Sequence, residues 1–185
     1  HCTGCMQEIE TVRINWLNSI FLIATPILAI TGIVLHWIHF SPPGFLELAV
    51  FLSLYFACGL SITVGYHRLF SHRSHNAKWP LVLFYAIFGA GSFQNSIIEW
   101  CSDHRMHHIY EGKDINLNPY PIEKGFFYAH VFWLFKYEDK KYIELREKVK
   151  KEMELNEWKD ELEMINHQDK YYIVYCIVIG LVLPI

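Results

Sequence analysis

With 185 residues, 52% of them hydrophobic and 16% aromatic, the chain is long enough for one domain and too apolar for an ordinary soluble one. A formal net charge of −3 gives no footing for a nucleic-acid partner. The five cysteines do not make a disulfide framework: Cys58 and Cys176 sit in apolar runs, Cys101 adjoins a histidine cluster, and Cys2 and Cys5 form a CxxC with no second pair, read as a stray chain end rather than a zinc or redox site.

After a short polar stretch over residues 1–13, no Asp, Glu, Lys or Arg occurs from Ile14 to Phe40. The core of that run, Ile20–Ile38, is long enough to span a bilayer as a helix. Pro26 is a kink that membrane helices tolerate. A removable signal peptide fits poorly, because the run is long and lacks a small-residue cleavage site. Ser41-Pro42-Pro43-Gly44 is a turn signal. A second apolar run, Phe45 to Tyr66, carries Glu47 as its one charge. The two runs predict a transmembrane hairpin. His67, Arg68, Arg73 and Lys78 follow it, so the positive-inside rule puts this end in the cytoplasm.

A third apolar run covers Trp79–Ile98. Histidines precede it (His67, His72) and follow it (His104, His107, His108). If it crossed the membrane, the two clusters could not meet; the expectation is an interfacial or re-entrant helix that returns to the same face. Residues 110–124 are loop-like, and 125–135 are aromatic, suiting the membrane interface. About half of the chain's charges fall in 136–164 with both signs mixed, which predicts a solvated helical region. The last run, Tyr171–Ile185, is too short to cross and is expected to be a third membrane helix cut short.

The predicted class is therefore all-α: an integral membrane helical protein in one domain over 1–185. Its parts are a transmembrane hairpin (about 14–66), a histidine-bearing region with an interfacial helix (67–135), a cytoplasmic helical segment (136–170) and a truncated third membrane helix (171–185).

Neutral imidazole is the commonest metal ligand. In a helix, His104, His107 and His108 share one broad face. His67 and His72 are five apart, about 140° around an α-helix, so they reach one site only if the helix ends between them. Five nitrogens exceed what a structural zinc uses. Copper, nickel and iron also accept imidazole. More ligands than one ion needs suggests two ions, and two irons beside a bilayer suggest O2 chemistry on a lipid. His36, His39, His75 and His130 are read as interfacial, solvated or packing residues.

Gly65-Tyr66-His67-Arg68-Leu69-Phe70-Ser71-His72 resembles the first histidine box of the membrane-bound acyl-CoA (stearoyl-CoA, delta-9 type) fatty acid desaturases. Phe93-Gln94-Asn95 and Glu99-Trp100-Cys101-Ser102-Asp103-His104-Arg105-Met106-His107-His108 resemble the stretch leading through the second box. Lys124-Gly125-Phe126-Phe127-Tyr128-Ala129-His130-Val131 resembles the aromatic segment downstream. The likeness is strong over 61–108 and weak over 136–170.

The resemblance implies four spanning helices, a cytoplasmic cap and a di-iron (Fe2+) centre in the endoplasmic reticulum or a bacterial inner membrane. It implies insertion of a cis double bond into a saturated fatty acyl-CoA, with O2 and two electrons from a donor such as cytochrome b5, ferredoxin or a reductase. It makes His67, His72, His104, His107 and His108 iron ligands. It places Asn95, Trp100 and Asp103 at the acyl-CoA head and pantetheine, and Lys124 at the coenzyme phosphates. The family's third histidine box and a further ligating histidine lie beyond the third spanning helix, past the end of this chain, so the five histidines leave the site incomplete and these residues alone inactive. His167 lies in NHQDKYY, where the family's histidine is not a ligand. Asn116-Leu117-Asn118-Pro119-Tyr120 replaces a more acidic family stretch, which displaces Asp114 from its usual role. The alternatives are a histidine-box hydroxylase or alkane monooxygenase, and a non-catalytic membrane protein binding metal or haem.

Overall fold

The computed structural model describes residues 13–184. The CxxC of Cys2 and Cys5 lies outside them. The regular structure among the described residues is helical, joined by turns and loops, apart from one antiparallel bridge between Ile14 and Lys136.

Helix α1, Trp16–His39, starts at Asn15, whose side chain accepts from the Asn18 N–H at 3.1 Å. Pro26 lies inside it without ending it. Its 24 residues give about 36 Å, enough to cross a bilayer. Helix α2, Phe45–Leu60, runs without a break into a π-helix over Ser61–Ser71. Within the most apolar stretch of α1 only 6% of residues are buried, and 11% in that of 45–71. A core helix would be covered; helices apolar on all sides and bare are those whose solvent is lipid. Where the chain enters the first helix it rests on the 3₁₀ turn Phe132–Phe135, with Asn18 Nδ2 donating to the Leu134 carbonyl at 3.3 Å.

The apolar run 79–98 is two elements rather than one. Helix α3, Trp79–Ala90, has 12 residues, about 18 Å, too short to span. A turn over 91–95 follows, in which Phe93 and Asn95 adopt positive φ (58° and 77°). Helix α4, Ile97–Tyr110, then carries the second histidine cluster. The turn lets the chain double back, which is what brings the two clusters to one place.

The π-helix and α3 approach closely because each offers a glycine. A Cβ on Gly65 would stand 2.6 Å from Tyr85 Cβ, and one on Gly89 would stand 2.6 Å from Tyr66 Cζ. The core lies beneath them: Tyr66, Leu69, Phe70, Ala86, Ile97, Ile98 and Cys101 are buried together.

Downstream, α5 (Phe126–His130) is short and leaves its phenylalanines exposed. Helices α6 (Lys140–Asn156) and α7 (Leu162–Lys170) form the charged segment. The expectation of a solvated region needs correction here. One side of it is core, with Tyr142, Met153, Trp158, Ile165 and Gln168 all buried. Trp158 is fully enclosed and donates from Nε1 to the Phe70 carbonyl at 3.0 Å. Gln168 uses its whole amide: Oε1 accepts from the Ile97 N–H at 3.0 Å, and Nε2 donates to Tyr66 Oη at 2.7 Å and the Ala86 carbonyl at 3.1 Å. Mixed charge predicted water on every side, whereas tertiary packing selected one stripe. Helix α8, Tyr172–Ile177, begins the last apolar run.

Candidate metal centre

His67 lies in the π-helix, and His72 caps its end. The π-helical hydrogen bond links residues five apart, and here the His72 N–H donates to the His67 carbonyl at 3.1 Å. Residues five apart are thereby brought to the same side, which an α-helix would not do. The helix does stop at Ser71, but its changed winding over 61–71, rather than the end alone, pairs the rings. Their centroids are 4.6 Å apart.

Helix α4 supplies the facing wall. His72 Nε2 lies 3.0 Å from His104 Nε2, and His108 Nε2 lies 3.1 Å from the same atom. One ligating atom from each of His67, His72, His104 and His108 falls within a group no wider than 4.8 Å. Nitrogens sharing one metal ion at about 2.1 Å stand about 3.0–3.4 Å apart for bond angles from 90° to tetrahedral, so the spacing suits ligation. The His104 imidazole is pushed down to about 3, first by burial and then by His108, His67, His72 and His107 around it. Burial also lowers His72 and His108, with neighbouring histidines adding to it. Neutral rings with free lone pairs are what a metal requires. The donor set therefore fits a nitrogen-binding transition metal such as iron.

His107 does not join the four. Its Nδ1 meets Asn118 Oδ1 at 2.9 Å, its Nε2 is 3.7 Å from Glu111, and its ring packs on Tyr120 with centroids 4.5 Å apart. Trp100 does border the cluster: it stacks on His104 (5.0 Å, 25°) and meets His67 edge-on at 6.3 Å. Asp103 is buried and turned to α6, where it accepts from Tyr142 Oη at 2.7 Å and from Arg146 at 3.0 Å. Burial raises its carboxyl above the usual range, and Arg146 opposes that. Asn95 is exposed on the turn before α4, its N–H donating to Tyr172 Oη at 3.0 Å. Lys124 ends the 3₁₀ turn Ile122–Lys124 with its ammonium 5.2 Å from the Tyr128 ring centroid.

A clamp on α4 has no counterpart in the sequence reading. Arg146 reaches Asp103 and Glu138 at 3.0 Å and Glu99 at 3.4 Å, and Lys150 reaches Glu99 at 2.5 Å. Arg105 donates at 2.7 Å both to the Ser71 carbonyl and to Glu157, tying the end of the first cluster to the end of α6. The helical spacing of Tyr142, Val149 and Met153 is the signal that could have found the buried face of α6.

This is the arrangement of a membrane protein with a histidine cluster that could hold a metal at the end of its helices. No protein-family model matches the chain. Among curated proteins it is 43% identical over 123 residues to a probable acyl-CoA desaturase of Schizosaccharomyces pombe, covering 66% of this chain and 24% of that protein. It is 35% identical over 177 residues to acyl-CoA desaturase 1 of Saccharomyces cerevisiae, covering 93% of this chain and 31% of that protein. It is 31% identical over 172 residues to an acyl-CoA Delta-9 desaturase of Acheta domesticus, covering 93% and 45%. The chain thus spans less than half the length of these three relatives. Identities at this level over most of the chain place it in the acyl-CoA desaturase family.

Proposed function

We propose that the protein introduces a cis double bond, at the Δ9 position, into a saturated fatty acyl-CoA. One observation carries the reading: four imidazoles from two elements converge within 4.8 Å at the end of a pair of bare apolar helices. His67, His72, His104 and His108 would hold iron, with His107 serving the second ion of a di-iron pair. Bound iron would supply the O2 chemistry that an unactivated methylene demands and side chains cannot perform, with two electrons from an external donor such as cytochrome b5, ferredoxin or a reductase.

The chain's own residues hold and shape the site. The π-helix and α4 fix the imidazoles from opposite walls, and Trp100, flat on His104, covers one side and narrows water's approach. An acyl chain needs an apolar path that sets which carbon lies at the metal, a matter of positioning. Asn95, Trp100 and Lys124 are the proposed contacts for the coenzyme end, whereas Asp103, the other residue expected there, is buried against Tyr142 and Arg146 and braces α4 instead. The centre would face the cytoplasm of a multi-pass protein in the endoplasmic reticulum or a bacterial inner membrane. Residues 14–66 would serve as the membrane hairpin, 67–135 as the metal-bearing region and 136–170 as the cytoplasmic cap.

The test is expression of the full-length protein in a host lacking its own Δ9 desaturase, with fatty acids analysed for bond position and metal measured on purified protein. The expected result is a Δ9 product and roughly two irons per chain, both lost in His72→Ala and His104→Ala. A purely hydroxylated product, or haem or zinc in place of iron, would refute the reading. A double bond elsewhere would refute the Δ9 assignment alone.

A further inference from the structure

The turn after α4 contains two polar groups that touch the histidines from outside. Asp114 builds this turn: its carbonyl accepts from the Leu117 and Asn118 N–H groups at 3.2 and 3.0 Å, and its carboxylate accepts from the Asn116 N–H at 3.0 Å. The result is a buried Asn118, 4% exposed, whose Oδ1 lies 2.9 Å from His107 Nδ1. That same Oδ1 lies 3.2 Å from the backbone N–H of Tyr120. A peptide N–H can only donate, so the atom facing it must be the amide oxygen. The oxygen can only accept, so His107 must carry its hydrogen on Nδ1. In the neutral ring Nε2 is then the lone-pair nitrogen. Glu111 lies 3.7 Å from it, beyond hydrogen-bond range.

Tyr120 does the companion task. Its hydroxyl lies 3.2 Å from His104 Nδ1, while His104 Nε2 faces His72 and His108. The Tyr120 ring lies between His107 (4.5 Å) and Trp133 (5.2 Å), which holds the hydroxyl in place.

We propose that Asn118 and Tyr120 are positioning residues for the metal centre, Asn118 fixing the tautomer and ring plane of His107 and Tyr120 the ring plane of His104, so that both turn Nε2 to the ligand position. The inference rests on the desaturase reading of the site. It concerns residues where this chain departs from the family's acidic stretch. Partners on the far nitrogen of a ligating imidazole orient the ring and raise its basicity, and losing one costs roughly 10- to 100-fold in metal affinity.

The experiment uses the full-length protein, purified in detergent with iron bound. It follows iron loss to a chelator, with thermal melting as the check on folding. Asn118→Leu keeps the volume and removes the acceptor; Asn118→Asp keeps an acceptor; Tyr120→Phe removes the hydroxyl alone. The expected result is roughly 10- to 100-fold faster iron loss in Asn118→Leu and Tyr120→Phe, with Asn118→Asp close to wild type. Were Asn118→Leu not to fold, Tyr120→Phe against wild type decides. Wild-type iron retention in Tyr120→Phe, or loss in Asn118→Asp as fast as in Asn118→Leu, overturns the proposal and leaves the site reading standing. Wild-type protein that binds no iron overturns both.

Discussion

Arg146 is the best place to test whether the charged segment holds the helix of the histidine cluster in shape. Its guanidinium is shared by Asp103, Glu138 and Glu99, and of these Asp103 is the most enclosed, with a side chain 8% exposed. In Arg146→Met the packing volume stays and the charge goes. Glu99 keeps Lys150, and Glu138 can turn to water, but Asp103 keeps only the Tyr142 hydroxyl. Removing one partner of a buried pair costs about 3–5 kcal/mol. Protonating the carboxyl instead sets a ceiling: starting from pKa ~3.9, it costs roughly 4 kcal/mol at pH 7. The sign follows. A carboxyl with a raised folded-state pKa is stabilising below its unfolded pKa and loses that contribution as pH rises. The deficit of Arg146→Met should therefore be about 3–4 kcal/mol at pH 7 and shrink by ~1.4 kcal/mol per unit on acidification, to about 1–2 kcal/mol at pH 5.5. Denaturant or thermal unfolding in detergent at several pH values measures it. Asp103→Asn combined with Arg146→Met should recover most of the loss. A deficit below 1 kcal/mol, or one that does not change with pH, would refute the argument that a buried carboxylate is being neutralised.

Two further outcomes follow from neighbouring geometry. Glu138 is raised to about 7, by burial first and Asp103 next, although it touches Arg146, because three carboxylates share that one guanidinium. Its contribution to stability should be present below the ordinary 4.5 and lost as pH rises through about 7; melting curves of wild type and Glu138→Gln should diverge across that window, and parallel curves would count against it. Gly89→Ala places a methyl against the fully buried Tyr66 ring, and overpacking of this kind costs about 1–3 kcal/mol. It should lower the melting temperature, and an unchanged one would show that Tyr66 can yield.

The membrane helices were legible because lipid leaves its mark locally, as an unbroken run of apolar residues from Trp16 to His39 and again from Phe45. The histidine cluster was legible for the same reason: imidazoles at short spacing are a local pattern. What was not legible depends on phase and distance. Lys140–Asn156 reads as charged because its exposed positions outnumber its buried ones, yet Tyr142 and Met153 lie on the stripe that faces α4. Asn118 and Tyr120 stood out only as part of a stretch less acidic than the family's, since a loop residue acquires its role from what the fold sets beside it. His107 also shows the limit of spacing: it sits one position from His108 on α4, and that step is enough to turn it toward Asn118 instead of the cluster.

The two histidine boxes differ in spacing, and the helices that carry them differ in the same way. His104 and His108 are four apart on an α-helix, whose hydrogen bonds step by four. His67 and His72 are five apart on a π-helix, whose hydrogen bonds step by five. In each case the histidine spacing equals the step that returns the chain to the same side, so both pairs point at one place. A π-helix of this length is uncommon, because such windings occur mostly as single turns and often at functional sites. Here it is held by burial on one side, with Tyr66, Leu69 and Phe70 in the core, and by Arg105, Trp158 and Gln168, which bond to Ser71, Phe70 and Tyr66. Two of those three come from the charged segment, and the third, Arg105, is paired to it through Glu157. The segment that looked like solvated surface is thus what keeps the first box wound at the pitch its histidines require.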